Sequence, residues 1–142
     1  HIHPGVVPQV RGSDGLYWSL VARGQPGASC FVMSPGIDEG ELLSRADFYN
    51  PDLFMLKSYC SAENEALLYD VLMHSIDPHL RGQMLVSLLD SSRSLQEQIS
   101  SARPQSEAPS FPYLAMAPAL RLAVLKRWLY CAKASPYQKL AI

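Results

Sequence analysis

The stretch Pro78–Ser101, with the sequence PHLRGQMLVSLLDSSRSLQEQISS, carries the clearest structural signal, and we expect it to form one long helix. Its apolar residues recur at intervals of three or four: Leu80, Met84, Leu88, Leu95 and Ile99, with Leu85 and Leu89 beside them. This spacing places them along one side of a helix, which is typical of a stripe packed into a core. Because proline disfavours helical backbone in its predecessor but fits the first turn of a helix, Asp77-Pro78 is expected to end one helix and start this one.

Helix start signals recur on both sides of this stretch. We expect helices over roughly 38–48, 51–60, 61–77 and 118–134, which begin at Asp38, Asn50-Pro51, Ser61 and Pro118. Side-chain acceptors before a helix and proline in its first turn are the usual start signals. The predicted fold class is therefore mainly α, a compact bundle or short stack of five to six helices with an N-terminal extended arm and β-hairpin.

Residues 1–37 differ in character from the rest of the chain. Prolines and glycines interrupt the residues before Leu16, so we expect an extended arm there. The runs Leu16–Arg23 and Ala28–Met33 flank Pro26-Gly27, which suits the centre of a type II turn, and together they predict a β-hairpin. The predicted domains are thus 1–37, an extended arm and β-hairpin, and 38–142, a helical domain.

The composition is that of a folded chain without a membrane span. The 142 residues suit one hydrophobic core, and an apolar content of 48% excludes a disordered tail. No apolar run approaches the roughly 18 residues needed to cross a bilayer, and the first residues lack the pattern of a signal peptide. The cysteines Cys30, Cys60 and Cys131 lie far apart, which fits a reducing compartment. We therefore expect an intracellular protein, cytoplasmic or nuclear.

The net charge of −1 conceals an uneven distribution. Residues 38–77 hold nine acidic and two basic side chains, whereas residues 108–142 hold five basic side chains and no acidic one. Such asymmetry indicates that the C-terminal helix packs on the acidic half, meets an acidic partner, or touches nucleic acid. Nucleic acid is the least favoured of the three, because five spread charges are fewer than the clustered footprint of a nucleic-acid-binding protein.

The histidines do not assemble a recognisable metal site in the sequence. His1 and His3 could chelate copper at the start of the chain in two ways. The first uses the terminal amine, two deprotonated backbone amides and the His3 ring. The second uses the amine and ring nitrogens of His1 and needs a further histidine from elsewhere. Only His74 and His79 are available, and both lie at a helix junction in the wrong kind of fold. A zinc site would have to gather its ligands from separate helices: Cys60, His74, His79 and Cys131. We therefore predict no metal and no cofactor.

Residues 74–79 contain the residue types of a hydrolase active site, a serine, an aspartate and two histidines, but not in a catalytic arrangement. His74 and Ser75 are adjacent on the predicted helix and so point about 100° apart, while Asp77 has a sufficient role as a helix cap. The acidic turns at 38–41 and 63–65 lack the ligand spacing of a calcium loop. No nucleotide-binding or protease motif occurs in the sequence. We therefore predict no catalytic residue and no enzymatic activity.

The predicted helices have apolar stripes and are joined by short proline junctions. No polar side chains converge on a pocket. These features favour a scaffolding protein over an enzyme. We expect a protein–protein interaction or scaffolding module, an adaptor that could be one domain of a larger protein. Its partner would be another protein, an acidic or amphipathic helix bound in an interhelical groove or on the basic C-terminal helix. The expected partner-binding residues are Trp18, Arg121, Lys126, Arg127 and Lys133.

Two alternatives stay open. The basic C-terminal helix could bind nucleic acid, with its aromatic residues stacking on bases. The predicted hairpin, unsupported on its own, could instead pair with a second copy of the chain and form a homodimer. Trp128 is expected in the core, because it lies at stripe spacing in the last predicted helix.

Overall fold

A three-stranded antiparallel sheet occupies the N-terminal part of the chain. The computed structural model describes residues 1–48, 51–111 and 114–131. The strands are β1 (Ile2–His3), β2 (Gly27–Phe31) and β3 (Leu42–Asp47), in the spatial order β1-β2-β3. All five residues of β2 are buried, because this strand has a neighbour on each side and both its faces are covered.

Helices supply the rest of the described structure. They are α1 (Gly15–Arg23), a 3₁₀-helix (Pro51–Tyr59), α2 (Glu65–Val71), a π-helical turn (Leu72–Ile76), α3 (Asp77–Leu89), α4 (Leu95–Ser100) and α5 (Pro118–Cys131). Since α2, the π-helical turn and α3 run without interruption, the described residues form four α-helices. The molecule is a small α+β fold, and the prediction of a mainly α bundle of five to six helices is wrong.

The strand β3 lies where a helix is predicted over residues 38–48. Leu42, Leu43 and Ala46 fit one side of a helix, but a short apolar run of this kind is equally compatible with a strand. The long-range partner decides: Ala46 pairs with Ala28 and Ser44 with Cys30, which completes the sheet around β2. Tertiary pairing here outweighs the local pattern.

The helix α1 lies where the first strand of a hairpin is predicted, and that prediction is wrong. Leu16, Tyr17 and Leu20 are buried on one side of α1, at helical spacing. Gly24 ends the helix with a left-handed backbone, φ 74°, and its N–H donates to the Leu20 carbonyl at 3.1 Å. A glycine is favoured in this position because it has no Cβ to strain the left-handed conformation.

The predicted stop at Asp77-Pro78 is also wrong, since the helix continues through it. Proline removes a helical hydrogen bond and crowds the preceding turn, and the π-helical turn Leu72–Ile76 lies immediately before it. The true break comes after Leu89, within the predicted long helix. Ser94 then starts α4 with a capping box: its hydroxyl accepts from the Glu97 N–H at 3.3 Å, and its own N–H donates to the Glu97 carboxylate at 2.7 Å.

One main core joins the helices, and side chains from before and after residue 37 pack in it. Its buried members are Leu16, Tyr17, Leu20, Leu53, Leu68, Leu72, Leu80, Met116, Leu125, Trp128 and Leu129. The prediction that Trp128 lies in the core is therefore confirmed. A smaller cluster of Ala28, Cys30, Met84 and Leu88 packs the sheet against α3. Among the described residues, no helix combines the length and apolar character that crossing a membrane requires.

Candidate functional site

A groove of about 530 Å³ runs along β3, the strand at one edge of the sheet. All six residues of β3 line it, and the other lining residues are Val6, Pro8, Gln9, Arg23, Ser106 and Ala108. The groove thus lies between an edge strand, the loop after β1, the end of α1 and the loop before α5. Its volume is within the range of about 300–1,000 Å³ that is usual for ligand-binding sites.

The outer edge of β3 is paired at only one point within the described residues. The Leu42 N–H donates to the Arg103 carbonyl at 2.7 Å, and the Arg103 N–H donates to the Leu42 carbonyl at 3.0 Å. At the other end, the Phe48 N–H donates inward to the Pro26 carbonyl at 2.7 Å. Because hydrogen-bonding direction alternates along an antiparallel strand, Asp47 and Arg45 turn their N–H and C=O groups outward. A register irregularity opposite Cys30 and Phe31 interrupts this alternation between Arg45 and Leu42, so Leu42 faces outward as well.

The groove is lined by an ion pair at the end of β3 and by the cation Arg45 along the strand. Arg23 donates from two guanidinium nitrogens to both carboxylate oxygens of Asp47, and its third nitrogen donates to the Gln9 side chain at 3.2 Å. The hydrogen bonds with Asp47 raise the pKa of Arg23 above its ordinary value. Arg45 is exposed and has no ion pair with a described residue. Its positive charge is therefore available to an acidic group in the groove.

A second cluster lies at the opposite side of the sheet, where His1, His3 and Asp38 come together. One potential metal-ligand atom from each lies within 4.8 Å of the other two. His74 and His79, which the sequence analysis considered as metal ligands, are elsewhere: His74 is exposed beside Asp70, and His79 contacts the Gln83 side chain at 3.0 Å. The third donor that His1 and His3 lack in the sequence is thus a carboxylate.

The parts of a hydrolase near residue 77 do not meet. The buried Asp77 carboxylate accepts from Arg81 at 3.1 and 2.9 Å, in place of an imidazole. Burial raises the pKa of Asp77 above its ordinary value, and the neighbouring Arg81 opposes that rise. Asp77 is therefore engaged in a local ion pair within the helix.

Two of the residues predicted to bind a partner are held by contacts within the molecule. The Trp18 indole N–H donates to the Leu114 carbonyl at 2.9 Å, and its ring packs on Phe111 with ring centroids 5.6 Å apart. Arg121 is paired with Glu65 at 2.7 Å, and its guanidinium lies 3.8 Å from the centroid of the Tyr69 ring. Neither contact is visible in the sequence, because the partners are far apart along the chain.

The remaining predicted binding residues divide into two groups. Lys126 and Arg127 are exposed on α5 and remain available to a partner. Lys133 lies outside the described residues. The groove along β3 was missed because it depends on β3 being a strand, and the sequence of Leu42–Asp47 shows no alternation of polar and apolar residues that would indicate a strand.

A scan against models of protein families and a search of curated proteins find no match for this chain.

Proposed function

We propose that this chain is a non-enzymatic protein-interaction module that binds an extended, acidic segment of a partner protein by adding it as a strand beside β3. The observation that carries this proposal is the outer edge of β3, which is unpaired between Leu43 and Asp47 among the described residues and forms one wall of a groove. An exposed strand edge is a template for pairing with another chain.

The Arg103 contact supports strand addition in particular. Arg103 pairs with Leu42 as one residue of an antiparallel strand, and Pro104, which has no N–H, follows it. This contact shows that the outer edge accepts regular strand pairing at one end. An added segment would pair with Arg45 and Asp47, which a register irregularity separates from Leu42. Backbone hydrogen bonds of this kind supply affinity with little dependence on side chains.

The basic side chain of Arg45 supports an acidic partner segment. Directly opposed side chains on neighbouring strands interact favourably when their charges are opposite. A glutamate placed opposite Arg45 would meet a cation that has no ion pair with a described residue. The Asp47 carboxylate in the same groove is paired with Arg23, so it does not neutralise Arg45.

Fluorescence anisotropy with short capped peptides tests this proposal. The probe alternates valine and threonine and carries two glutamates; matched peptides carry lysine in place of glutamate, or a central proline. We expect the glutamate peptide to bind, the lysine peptide to bind at least about threefold more weakly, and the proline peptide to lose binding. Arg45→Ala should remove the preference for glutamate, and Lys126→Ala, a change to an exposed cation outside the groove, should change nothing.

Arg45→Pro is the decisive variant. It removes one outward N–H while leaving the inward ladder to β2 intact, because proline is tolerated on an edge strand at such a position. We expect it to reduce peptide affinity at least about tenfold while circular dichroism is preserved. Unchanged affinity would overturn the proposal. So would a dimer in sedimentation equilibrium that Arg45→Pro dissociates, because the occupant of the edge would then be a second copy of the chain.

The exposed part of α5 is the second candidate for a partner surface. Lys126 and Arg127 are both exposed, and Tyr130, three residues after Arg127, is exposed as well. An acidic helix could dock here through charge complementarity. Reversing both cations, in a Lys126→Glu, Arg127→Glu variant, should then abolish binding of an acidic amphipathic peptide that Arg45→Ala leaves unchanged. A gel shift with random oligonucleotides that weakens steeply with salt would indicate nucleic acid instead and contradict this candidate.

A further inference from the structure

The first strand and the loop between β2 and β3 bring two imidazoles and a carboxylate together. His1 and His3 lie two residues apart and therefore project from the same face of the strand. Both rings pack against Phe31, with centroid distances of 5.3 and 6.4 Å. Asp38 reaches the same place from the loop after β2. The sequence separation between Asp38 and the histidines explains why the cluster is absent from any local motif.

The distances within the cluster suit a small cation. His3 Nδ1 lies 3.4 Å from Asp38 Oδ2. Two ligands bound about 2.1 Å from a tetrahedral zinc ion are about 3.4 Å apart, so this pair already has the required separation. The third donor, His1, lies within 4.8 Å of both and is exposed. A small rotation of its side chain would complete the set without moving the backbone.

Asp38 is held in place by its surroundings. Its backbone is left-handed, φ 53°, which is uncommon outside glycine. The Gly12 N–H donates to Oδ2 at 2.7 Å, and Gln105 donates to the Asp38 carbonyl at 2.8 Å. Arg11 in turn donates to the Gln105 side chain at 2.8 Å. Outer contacts of this kind orient the ligands of metal sites.

The His3 ring is closely enclosed. Nε2, on the side of the ring away from Asp38, is buried and has no hydrogen bond to a described residue. Gly5 and Gly15 lie close to it, since a Cβ at Gly5 would be 2.8 Å and one at Gly15 3.2 Å from Nε2. This enclosure fixes the ring with Nδ1 directed toward Asp38.

We propose that His1, His3 and Asp38 bind one divalent transition-metal ion, with Zn²⁺ as the best match. Imidazole and carboxylate are zinc ligands, and three protein ligands leave one coordination position open. Magnesium and calcium are disfavoured, since both prefer sites made entirely of oxygen. The expectation of no metal depends on the lack of a suitable further histidine, whereas the third donor here is a carboxylate. The site is independent of the groove along β3.

Isothermal titration of the chelator-treated protein with zinc chloride tests this site. We expect one Zn²⁺ per chain, and a visible Co²⁺ spectrum of tetrahedral type when cobalt chloride is used instead. His1→Ala and Asp38→Asn should each weaken binding at least about tenfold. His1 is exposed, and asparagine retains an acceptor for the Gly12 N–H and tolerates left-handed backbone, so both variants should fold. The matched control is His74→Ala, which removes an exposed histidine beside Asp70 and should leave affinity unchanged.

Three results would overturn the site. The first is the absence of zinc binding at a protein concentration of tens of micromolar, and the second is equal affinity in His1→Ala, Asp38→Asn and the unaltered chain. The third is a loss of zinc binding when a glycine is added before His1. The proposal expects unchanged affinity in that extended chain, because the proposed ligands are side chains. Loss of binding in that extended chain would assign the metal to a terminal amine instead.

Discussion

The buried carboxylate of Asp14 connects three separate segments of the chain by hydrogen bonds. It lies immediately before α1, is 6% exposed, and has left-handed backbone with φ 52°. The Met116 N–H donates to one carboxylate oxygen at 2.7 Å, and the Tyr69 hydroxyl donates to the other at 3.0 Å. One side chain thus connects the start of α1, helix α2 and the segment that leads into α5.

Asp14→Ala should therefore destabilise the fold. It leaves the buried Met116 N–H without a partner, which costs about 1–3 kcal/mol. The Tyr69 hydroxyl, which is only partly buried, also loses its acceptor. Asp14→Asn should cost less, because asparagine tolerates left-handed backbone and keeps one acceptor. Urea denaturation measures the free energy of unfolding. The matched control is Asp70→Ala, an exposed carboxylate, expected within about 0.5 kcal/mol of the unaltered chain; equal effects of the two alanine variants would contradict this role.

The burial of His3 predicts a pH dependence of stability. Its pKa in the folded chain is lowered from the ordinary 6.5, chiefly by burial, so the unfolded chain takes up this proton at a higher pH than the folded one. Stability should thus fall as the pH drops below about 6.5. Asp77, whose pKa burial raises, acts in the opposite direction at lower pH. NMR titration of the His3 ring in folded and urea-unfolded protein checks the sign, and a folded pKa at or above the unfolded one would refute it.

Substituting two glycines, Gly24 at the end of α1 and Gly82 within α3, tests why α1 ends and why α3 continues. A Cβ at either Gly24 or Gly82 would have no neighbour within 4 Å, so neither substitution creates a clash. Gly24 has φ 74°, whereas Gly82 lies within α3. Gly24→Ala should destabilise by about 1 kcal/mol through backbone strain, and Gly82→Ala should stabilise by about 0.5–1 kcal/mol through helix propensity. Thermal or urea unfolding of both variants should give changes of opposite sign; the same sign would refute the assigned end of α1.

The accuracy of the sequence predictions follows the range of the interactions that form each element. A helix within residues 61–77 and the start of α5 at Pro118 could be predicted, because helical periodicity and the preference for proline in a first turn are local. The strand β3 could not, since Leu42–Asp47 adopts its conformation by pairing with β2. The break between α3 and α4 was not predicted, although the Ser94 capping box is present in the sequence, because the apolar stripe continues across it.

The two candidate sites could not be predicted either, because each depends on contacts between residues that are far apart in the sequence. The groove needs β3, Arg23 and the loop before α5 in one place, and the metal cluster needs Asp38 beside β1. No local pattern carries either arrangement. The individual histidines could be recognised as potential ligands in the sequence, whereas their partner could be found only in three dimensions.

For the whole molecule, the uneven charge of the sequence is partly resolved within the chain. Arg121 of the basic C-terminal region pairs with Glu65 of the acidic region, and both side chains are largely buried. This agrees with the expectation that the last helix packs on the acidic half. The exposed cations Lys126 and Arg127 do not share this contact and remain on the surface.

Amide hydrogen exchange along β3 tests the proposed binding edge most directly. In the free protein, Ser44 and Ala46 should exchange slowly because they face β2, whereas Arg45 and Asp47 should exchange fast because they face the groove. Adding the glutamate peptide should slow Arg45 and Asp47 and leave Ser44 and Ala46 unchanged. Slow exchange of Arg45 and Asp47 in the free protein, or no slowing at saturating peptide, would contradict strand addition at this edge.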